Sequence, residues 1–334
     1  MIYKDKKILI IGSPESYTLE KMYYRAFKKL GTNVSFFNAT KVNNSVQNKF
    51  IEKFFYKVHY FFIRKKLNKF FLNKKFDLVI FFKGLYLNKF FLLNLKKKSP
   101  NTKFINIYPD DPFQINKKNI SNKNILDSLS EFNFFFIWSK KILKKLKKKF
   151  NNEIFFYLPF GYDEFLHIKT KINKKYENKI NFVGSHDFHR DRMLGEIDKK
   201  DLIIFGNNWK DKFQPIFGKK LSTIIGSSLA SINILRKQNI TSHNMRTFEV
   251  PAMGGLLLTT RSKEQQFYFK DGIDCLMYSS LNELKNKIKF IKKNKKKILD
   301  IKKNAYKKSK IHSYTNRSKF ILNIIFKNDF KKQF

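Results

Sequence analysis

The chain has 334 residues, 42% hydrophobic and 29% charged, with 39 Phe. That length and apolar content predict two domains with cores of their own and exclude wholesale disorder. A single cysteine, Cys275, excludes a disulfide framework or a cysteine-held metal cluster. Apolar runs such as Phe134–Trp138 are far shorter than the ~20 residues that span a bilayer. The apolar stretch at Ile8–Ile11 is too short for a signal peptide, so a cytoplasmic protein is expected.

The net charge of +44 arises from 70 Lys and Arg against 26 Asp and Glu, and only eight of the basic residues are Arg. Lys, Asn, Ile and Phe, whose codons are A/T-rich, are all abundant, so solvated lysine faces explain much of the charge. A basic surface still attracts polyanions such as nucleic acid, acidic headgroups and sugar nucleotides. Without a recognised nucleic-acid module and with little Arg, no nucleic-acid partner is expected. Peripheral contact with the acidic inner face of a membrane is.

In chain order, Lys7–Gly12 reads as a buried strand ending in a glycine turn. Ser13-Pro14 reads as the N-cap and first residue of a helix running to about Leu30, where Gly31 stops it. Asn33–Phe37 is the next strand, and a long helix fills most of Val46–Asn73. Further strands are predicted at Asp77–Phe82, Lys103–Tyr108, Phe132–Trp138 and Ile154–Leu158, with a helix at Lys140–Phe150. Continuous apolar strands alternating with helices predict a parallel sheet covered on both faces.

Pro159-Phe160-Gly161-Tyr162 interrupts this pattern, and the polar stretch His167–Lys179 reads as an interdomain linker. Strands resume at Ile180–Gly184, Leu202–Gly206 and Leu256–Thr260. Helices are predicted at Asp187–Ile197, Asn244–Met253, Lys263–Phe269 and Leu281–Lys303. Tyr314–Phe326 is an amphipathic helix with Phe320, Ile321, Ile324 and Ile325 on its apolar side. No fixed-period repeat is present, which sets solenoids aside. The predicted fold class is α/β, two doubly wound Rossmann-like domains at residues 1–166 and 167–311. A C-terminal helix at 312–334 is expected to pack back on the first of them.

Ligands of doubly wound sheets bind at the carboxyl ends of the strands, so the strand-terminal loops are where chemistry is sought. The densest is His243-Asn-Met-Arg-Thr-Phe-Glu-Val-Pro-Ala-Met-Gly-Gly255. Glu249 lies among Phe248, Val250, Ala252 and Met253, where a carboxylate is costly unless partnered. Two partners fit: a vicinal diol such as a ribose, or Arg246 three residues away on the same helix. The helix start at His243, Asn244 and Met245 would offer backbone N–H groups to a phosphate. Gly254-Gly255 permits a tight turn and leaves room for a ligand beside the backbone.

A second candidate is Phe182-Val-Gly-Ser-His-Asp-Phe-His-Arg-Asp-Arg192, a strand entering Gly184-Ser185 and then a helix with Arg190 and Arg192. Loop N–H groups and arginines suit a diphosphate. His186 and His189 lack the further ligands a metal requires, so no metal is expected. The third candidate is Asp110-Asp111, between Pro109 and Pro112 after a first-domain strand. These carboxylates read either as a general base or as a proline-bounded turn.

The stretch Asn244-Met-Arg-Thr-Phe-Glu-Val-Pro-Ala-Met-Gly-Gly-Leu-Leu-Leu-Thr259 resembles the signature of CgeB-like (spore-maturation type) glycosyltransferases of the GT-B fold. Phe269-Lys-Asp-Gly-Ile-Asp-Cys275, Phe182-Val-Gly-Ser185, Ile204-Phe-Gly206 and Ser231-Ile-Asn-Ile234 extend the likeness over about Ile180–Tyr314. The resemblance implies two Rossmann-like domains facing a cleft and a nucleotide-sugar donor held by the second domain. It implies neither an essential metal nor a resident cofactor. By position Glu249 matches the donor-ribose acid, and Gly184-Ser185 with Arg190 or Arg192 matches part of the diphosphate site. Related enzymes often carry a second donor-sugar acid upstream, where this chain has Thr241.

The expected function is transfer of a sugar from a nucleoside diphosphate donor to a glycan, lipid-linked or protein acceptor. Asp110 or Asp111 is the expected base. Donor contacts are expected from Gly184, Ser185, Arg190, Arg192, His243, Asn244, Arg246, Glu249, Gly254 and Gly255. The alternatives are a non-catalytic sugar-nucleotide-binding protein and a basic nucleic-acid-binding protein.

Overall fold

The computed structural model describes residues 3–39, 49–72, 74–114, 121–211, 213–236 and 239–327. The chain divides into two compact units. Of the described residues, those up to Pro159 together with 318–327 form the first, and Phe160–Arg317 forms the second.

The first unit contains β1 (Lys7–Gly12), α1 (Leu19–Lys29), β2 (Asn33–Asn38), α2 (Lys49–Leu72), β3 (Leu78–Phe82) and α3 (Lys89–Lys98). It continues with β4 (Lys103–Tyr108), α4 (Ser121–Asp127), β5 (Phe134–Ile137), α5 (Lys140–Phe150) and β6 (Phe155–Tyr157). The strands form one parallel sheet in the order β2-β1-β3-β4-β5-β6. Ile8–Ile11 and Leu78–Phe81 have no exposed surface, as strands covered on both faces require. The order reverses between β1 and β3, so the switch-point crevice lies beyond their carboxyl ends.

Helix α1 begins five residues later than Ser13-Pro14 suggests, at Leu19 with Thr18 as N-cap. The Thr18 hydroxyl donates to the carbonyls of Ser13 and Glu15, which commits Pro14 to a turn rather than to a first helical residue. The start of the predicted Val46–Asn73 helix, up to residue 48, lies outside the described residues.

The second unit contains β7 (Ile180–Val183), α6 (Phe188–Gly195), β8 (Leu202–Phe205), α7 (Gly218–Ser227), β9 (Ala230–Asn233), α8 (Arg246–Ala252) and β10 (Leu257–Thr260). Then come α9 (Lys263–Tyr268), β11 (Leu276–Tyr278), α10 (Leu281–Lys293) and α11 (Lys295–Ser309), and α12 (Tyr314–Lys327) begins in this unit. Its parallel sheet has the order β11-β10-β9-β7-β8, with the reversal between β7 and β9.

Three features depart from the sequence reading. The single helix predicted at Leu281–Lys303 is two, broken at Asn294, whose side-chain amide donates to the Phe290 carbonyl. A side chain that bonds its own backbone competes with the helix, and the surrounding lysines hide the break. The boundary between units falls at Pro159, ahead of the predicted residue 166. The stretch read as a linker belongs to the second unit: the Ser222 hydroxyl donates to the Leu166 carbonyl, and the Asn173 N–H donates to Ser227. From Ser318 onward α12 belongs to the first unit, the unit on which a C-terminal helix was expected to pack, and there the Tyr3 hydroxyl donates to Asn323 Oδ1 at 2.6 Å.

Gly206, at φ +150°, sits so close to the β7 loop that an added Cβ would lie 2.0 Å from the Gly184 carbonyl oxygen. Gly206→Ala should therefore destabilise the protein by about 2 kcal/mol or more. A Cβ at Gly195 meets nothing within 4 Å, so Gly195→Ala should be neutral or stabilising by about 0.4–1 kcal/mol. Denaturant unfolding of the two variants checks the contrast.

Candidate functional site

The residues singled out in the second half converge on its switch point. β7 delivers Gly184 and Ser185, β9 delivers Asn233, and α8 delivers Arg246 and Glu249. Arg190 joins them. Its Nη1 donates to the Ser185 carbonyl at 2.8 Å, while Nε and Nη2 donate to the Ile234 carbonyl at 3.2 and 3.0 Å. The side chain is buried over the Phe182 ring, and desolvation pulls its pKa down to about 10. Arg190 thus staples the loops after β7 and β9, and its Nε also lies 3.4 Å from Asp187 Oδ2. Arg192 points outward on α6 and is exposed.

Glu249 is buried to 1% exposure and Arg246 Nη1 donates to its Oε2. Its other oxygen lies 3.6 Å from His167 Nε2. His167 Nδ1 accepts from the Asp163 N–H at 3.0 Å, which puts the proton on Nε2, facing the carboxylate. Both of the sequence alternatives bear on this residue: the pairing with Arg246 is formed, and the half-exposed guanidinium is what stands between Glu249 and solvent. His167, read from sequence as the start of a linker, is a partner of Glu249.

Asn244 and Asn233 exchange amide hydrogen bonds at 2.8 and 3.0 Å. Behind them Thr247 and Thr259 donate to Gln265 Oε1 at 2.8 and 3.0 Å. His243 lies beneath this layer with no exposed surface. Its Nδ1 meets Glu264 Oε2 at 3.0 Å, and its Nε2 accepts from the Phe160 N–H at 3.2 Å. A ring enclosed in this way holds the start of α8 in place, which leaves the backbone N–H groups of the helix start as what this stretch could offer a ligand. Gly254, at φ +75°, makes the turn expected of it. A Cβ on Gly255 would lie 2.6 Å from Ile225 Cγ2, so the side of that residue where a side chain would stand is filled by α7.

Among the described residues no group of three His, Cys, Asp or Glu is placed to hold a metal ion. His186 lies 3.6 Å from Asp191 and edge-on to Trp209. Trp209 in turn donates to the Gly184 carbonyl at 2.9 Å.

In the first unit the carboxylates after β4 have separate tasks. Asp110 is ion-paired with Lys83. Asp111 Oδ1 accepts the Phe113 N–H at 2.9 Å, the turn geometry that was one of its two sequence readings. A cavity of about 420 Å³ opens instead at the switch point between β1 and β3, lined by Gly12, Glu15, Glu20, Tyr60, Lys83 and Tyr86 among others. Glu20 lies across Gly12, so that a Cβ there would meet Glu20 Cγ at 2.2 Å. Burial raises its pKa, opposed by the backbone N–H groups of Glu20 and Ser13. Tyr86 is 5% exposed, and its hydroxyl is buried with no hydrogen-bond partner. Burial, and then the Glu20 charge, holds that phenol well above its usual pKa. The sequence reading missed Glu20 because it placed Glu20 inside a helix begun at Pro14.

Residues 190–323 match the family described as glycosyl transferase-like. None of the curated proteins matches the chain by sequence. Among solved structures it is similar to sucrose-phosphate synthase of Thermosynechococcus elongatus, with TM-score 0.67 and 11% identity over 97% of this chain and 100% of that one. It is similar also to HepE of Anabaena in complex with UDP-glucose, with TM-score 0.62 and 10% identity over 96% and 99% of the two chains. A glycosyltransferase of Rickettsia africae gives TM-score 0.61 and 13% identity over 98% and 100%. At such identities the likeness is one of fold. The two parallel-sheet Rossmann-like units and these neighbours show a two-domain GT-B fold, and the match to the glycosyl transferase-like family covers less than half of the chain.

Beneath α8, His312 packs against Phe248, Tyr268 and Phe269, and its Nδ1 faces Arg317 Nη2 at 3.1 Å. Burial, with Arg317 next, lowers its pKa to about 3. Between that value and ~6.5 the unfolded chain binds a proton that the folded chain does not, so stability falls as pH drops through this window. The slope should approach about 1.4 kcal/mol per pH unit for this one group. His312→Gln, which can keep an acceptor for Arg317, should flatten the pH dependence of Tm between pH 6.5 and 4.5. An unchanged slope would assign the acid sensitivity elsewhere.

Proposed function

We propose that the protein transfers a sugar from a nucleoside diphosphate donor to an acceptor hydroxyl, the second unit holding the donor and the first the acceptor. The observation that carries this reading is the convergence of Gly184, Ser185, Asn233, Asn244, Arg246 and Glu249 on one switch point, the last four of them inside the region matching the glycosyl transferase-like family. HepE, of similar fold, is a UDP-glucose complex, which supports a nucleotide sugar as donor class. The stretch Asn244–Thr259 supports assignment to the CgeB-like branch.

In this reading the donor exchanges partners with the protein. The ribose diol takes the place of Arg246 on Glu249, and the released guanidinium turns to the diphosphate. That charge then lies where negative charge builds as the glycosidic bond breaks. No metal is required for this step. On the acceptor side Glu20, with a raised pKa and a place in a cavity, is better suited as base than Asp110 or Asp111, which are engaged in an ion pair and a turn. It would take the acceptor proton as the hydroxyl oxygen bonds the sugar and the diphosphate departs.

Two measurements test the proposal. Glu249→Gln keeps the shape but loses charge-assisted bonds of roughly 1.5–3 kcal/mol, so titration calorimetry should find nucleoside diphosphate affinity reduced about ten- to a hundredfold. Equal affinities would sink the ribose assignment. Glu20→Gln should cut sugar transfer by roughly 10²–10⁴-fold at unchanged donor affinity. Because a base acts deprotonated, wild-type turnover should fall as pH drops through the raised Glu20 pKa, and this limb should vanish in the variant. A variant that keeps wild-type turnover and its acid limb would return Glu20 to a role in the β1–α1 turn.

A further inference from the structure

Helix α2 is apolar on two sides. Tyr60, Ile63, Leu67 and Phe71 recur every three or four residues and are buried. The opposite arc carries Phe61, Phe62 and Leu72 at 55%, 50% and 68% exposure, with Lys57, Lys65, Lys66 and Lys69 exposed among them. At 3.6 residues per turn these seven positions fall on one side of the helix, within about 180°. Helix α3 packs against α2 and repeats the design. Phe91, Leu92 and Leu95 are buried, while Phe90 is 82% and Leu93 38% exposed beside Lys89, Lys97 and Lys98.

The crossovers from β2 to β3 and from β3 to β4 step in the same direction along the sheet. Right-handed connections therefore put α2 and α3 on one face of it. Asp77 is the only acidic residue between Glu52 and Asp110 in the sequence, and Glu131, which meets Lys89 and Lys96 of α3, is itself buried. Among the described residues no helix is long and apolar enough to cross a membrane. Leucine and phenylalanine tips flanked by long lysines instead suit the boundary between headgroups and acyl chains, with the amines on lipid phosphates. An RNA partner would be served by stacking platforms and arginine, and Leu72 and Leu93 supply neither.

We propose that α2 and α3 form a docking face for an anionic lipid surface, both helices lying along it. The face stands independently of the donor site. Its consequence, that the acceptor is met at a membrane, rests on the transferase reading above.

Co-sedimentation of the full chain with vesicles tests it, using phosphatidylcholine alone and phosphatidylcholine with about one third phosphatidylglycerol. Binding is expected only to the anionic vesicles and should weaken with salt. Phe61→Ser with Phe90→Ser should lower partitioning at least about tenfold, as should Lys65, Lys66 and Lys69 all changed to Gln. The same triple charge loss at Lys144, Lys147 and Lys148, exposed on α5, should cost much less. Three results would each overturn the proposal: no anionic-vesicle binding, equal loss in the α5 variant, or an α2 variant that loses affinity for poly(U) but not for vesicles. Nucleotide-sugar binding by the same variants reports on the transferase reading separately, because none of these residues lies in the donor unit.

Discussion

The second unit is organised around one buried cation. Arg190 crosses the gap where the strand order reverses and donates to carbonyls on both sides, Ser185 after β7 and Ile234 after β9. A buried charge is costly to desolvate, as its lowered pKa records, and Asp187 at 3.4 Å offsets only part of that cost. Hydrogen bonds to a charged donor are worth more than neutral ones, and the planar fork reaches two loops at once. Gly184 follows from this constraint: a Cβ there would lie 3.4 Å from Arg190 Nη1 and 3.1 Å from the Phe182 ring beneath it. The crevice in which a ligand would sit is thus held at fixed width by Arg190.

The same division of labour runs through the basic residues. Arg317 donates to the Phe160 carbonyl, Arg261 bonds Asp271 and Glu283, Arg64 bonds the Tyr86 carbonyl and Arg25 the Ser16 carbonyl. Guanidinium is weakly hydrated and multidentate, so it serves inside, whereas lysine keeps its ammonium in water. The scarcity of Arg in this sequence therefore marks architecture first. Of the arginines expected as donor contacts, Arg246 combines a place at the switch point with a carboxylate partner it could exchange for a diphosphate.

The strands were legible because parallel strands buried on both faces are runs of Val, Ile, Leu and Phe, as in KILIIG and LVIFF. β9, with the sequence ASIN, and β11, with three residues, were not read as strands. Short strands carry too little periodicity, and the polar Ser231 and Asn233 are satisfied by partners distant in sequence, Asn181 and Asn244. The site was legible as a set of loops but not in its roles. That His243 is locked by Glu264 and Phe160, or that Gly255 is filled by Ile225, depends on contacts across the unit. Glu20 was hidden by a plausible helix start at Ser13-Pro14.

Burial of Glu249 fits a ribose contact once the whole cluster is considered. A carboxylate at 1% exposure must keep donors on its oxygens at all times, with ligand or without. His167 stays on one side, oriented by the Asp163 N–H, and supplies a fixed donor. Arg246 supplies the other and is the only partner of the pair with appreciable exposure, at 24% of its side chain. It sits on a helix whose first turn packs against the end of β7, its Nε 3.4 Å from the Val183 carbonyl. A diphosphate arriving at Gly184-Ser185 would offer that guanidinium a stronger acceptor than a carbonyl, and a diol would relieve the carboxylate it leaves. The exchange keeps every buried charge partnered before and after binding, which a ribose acid left bare in the empty site would not achieve.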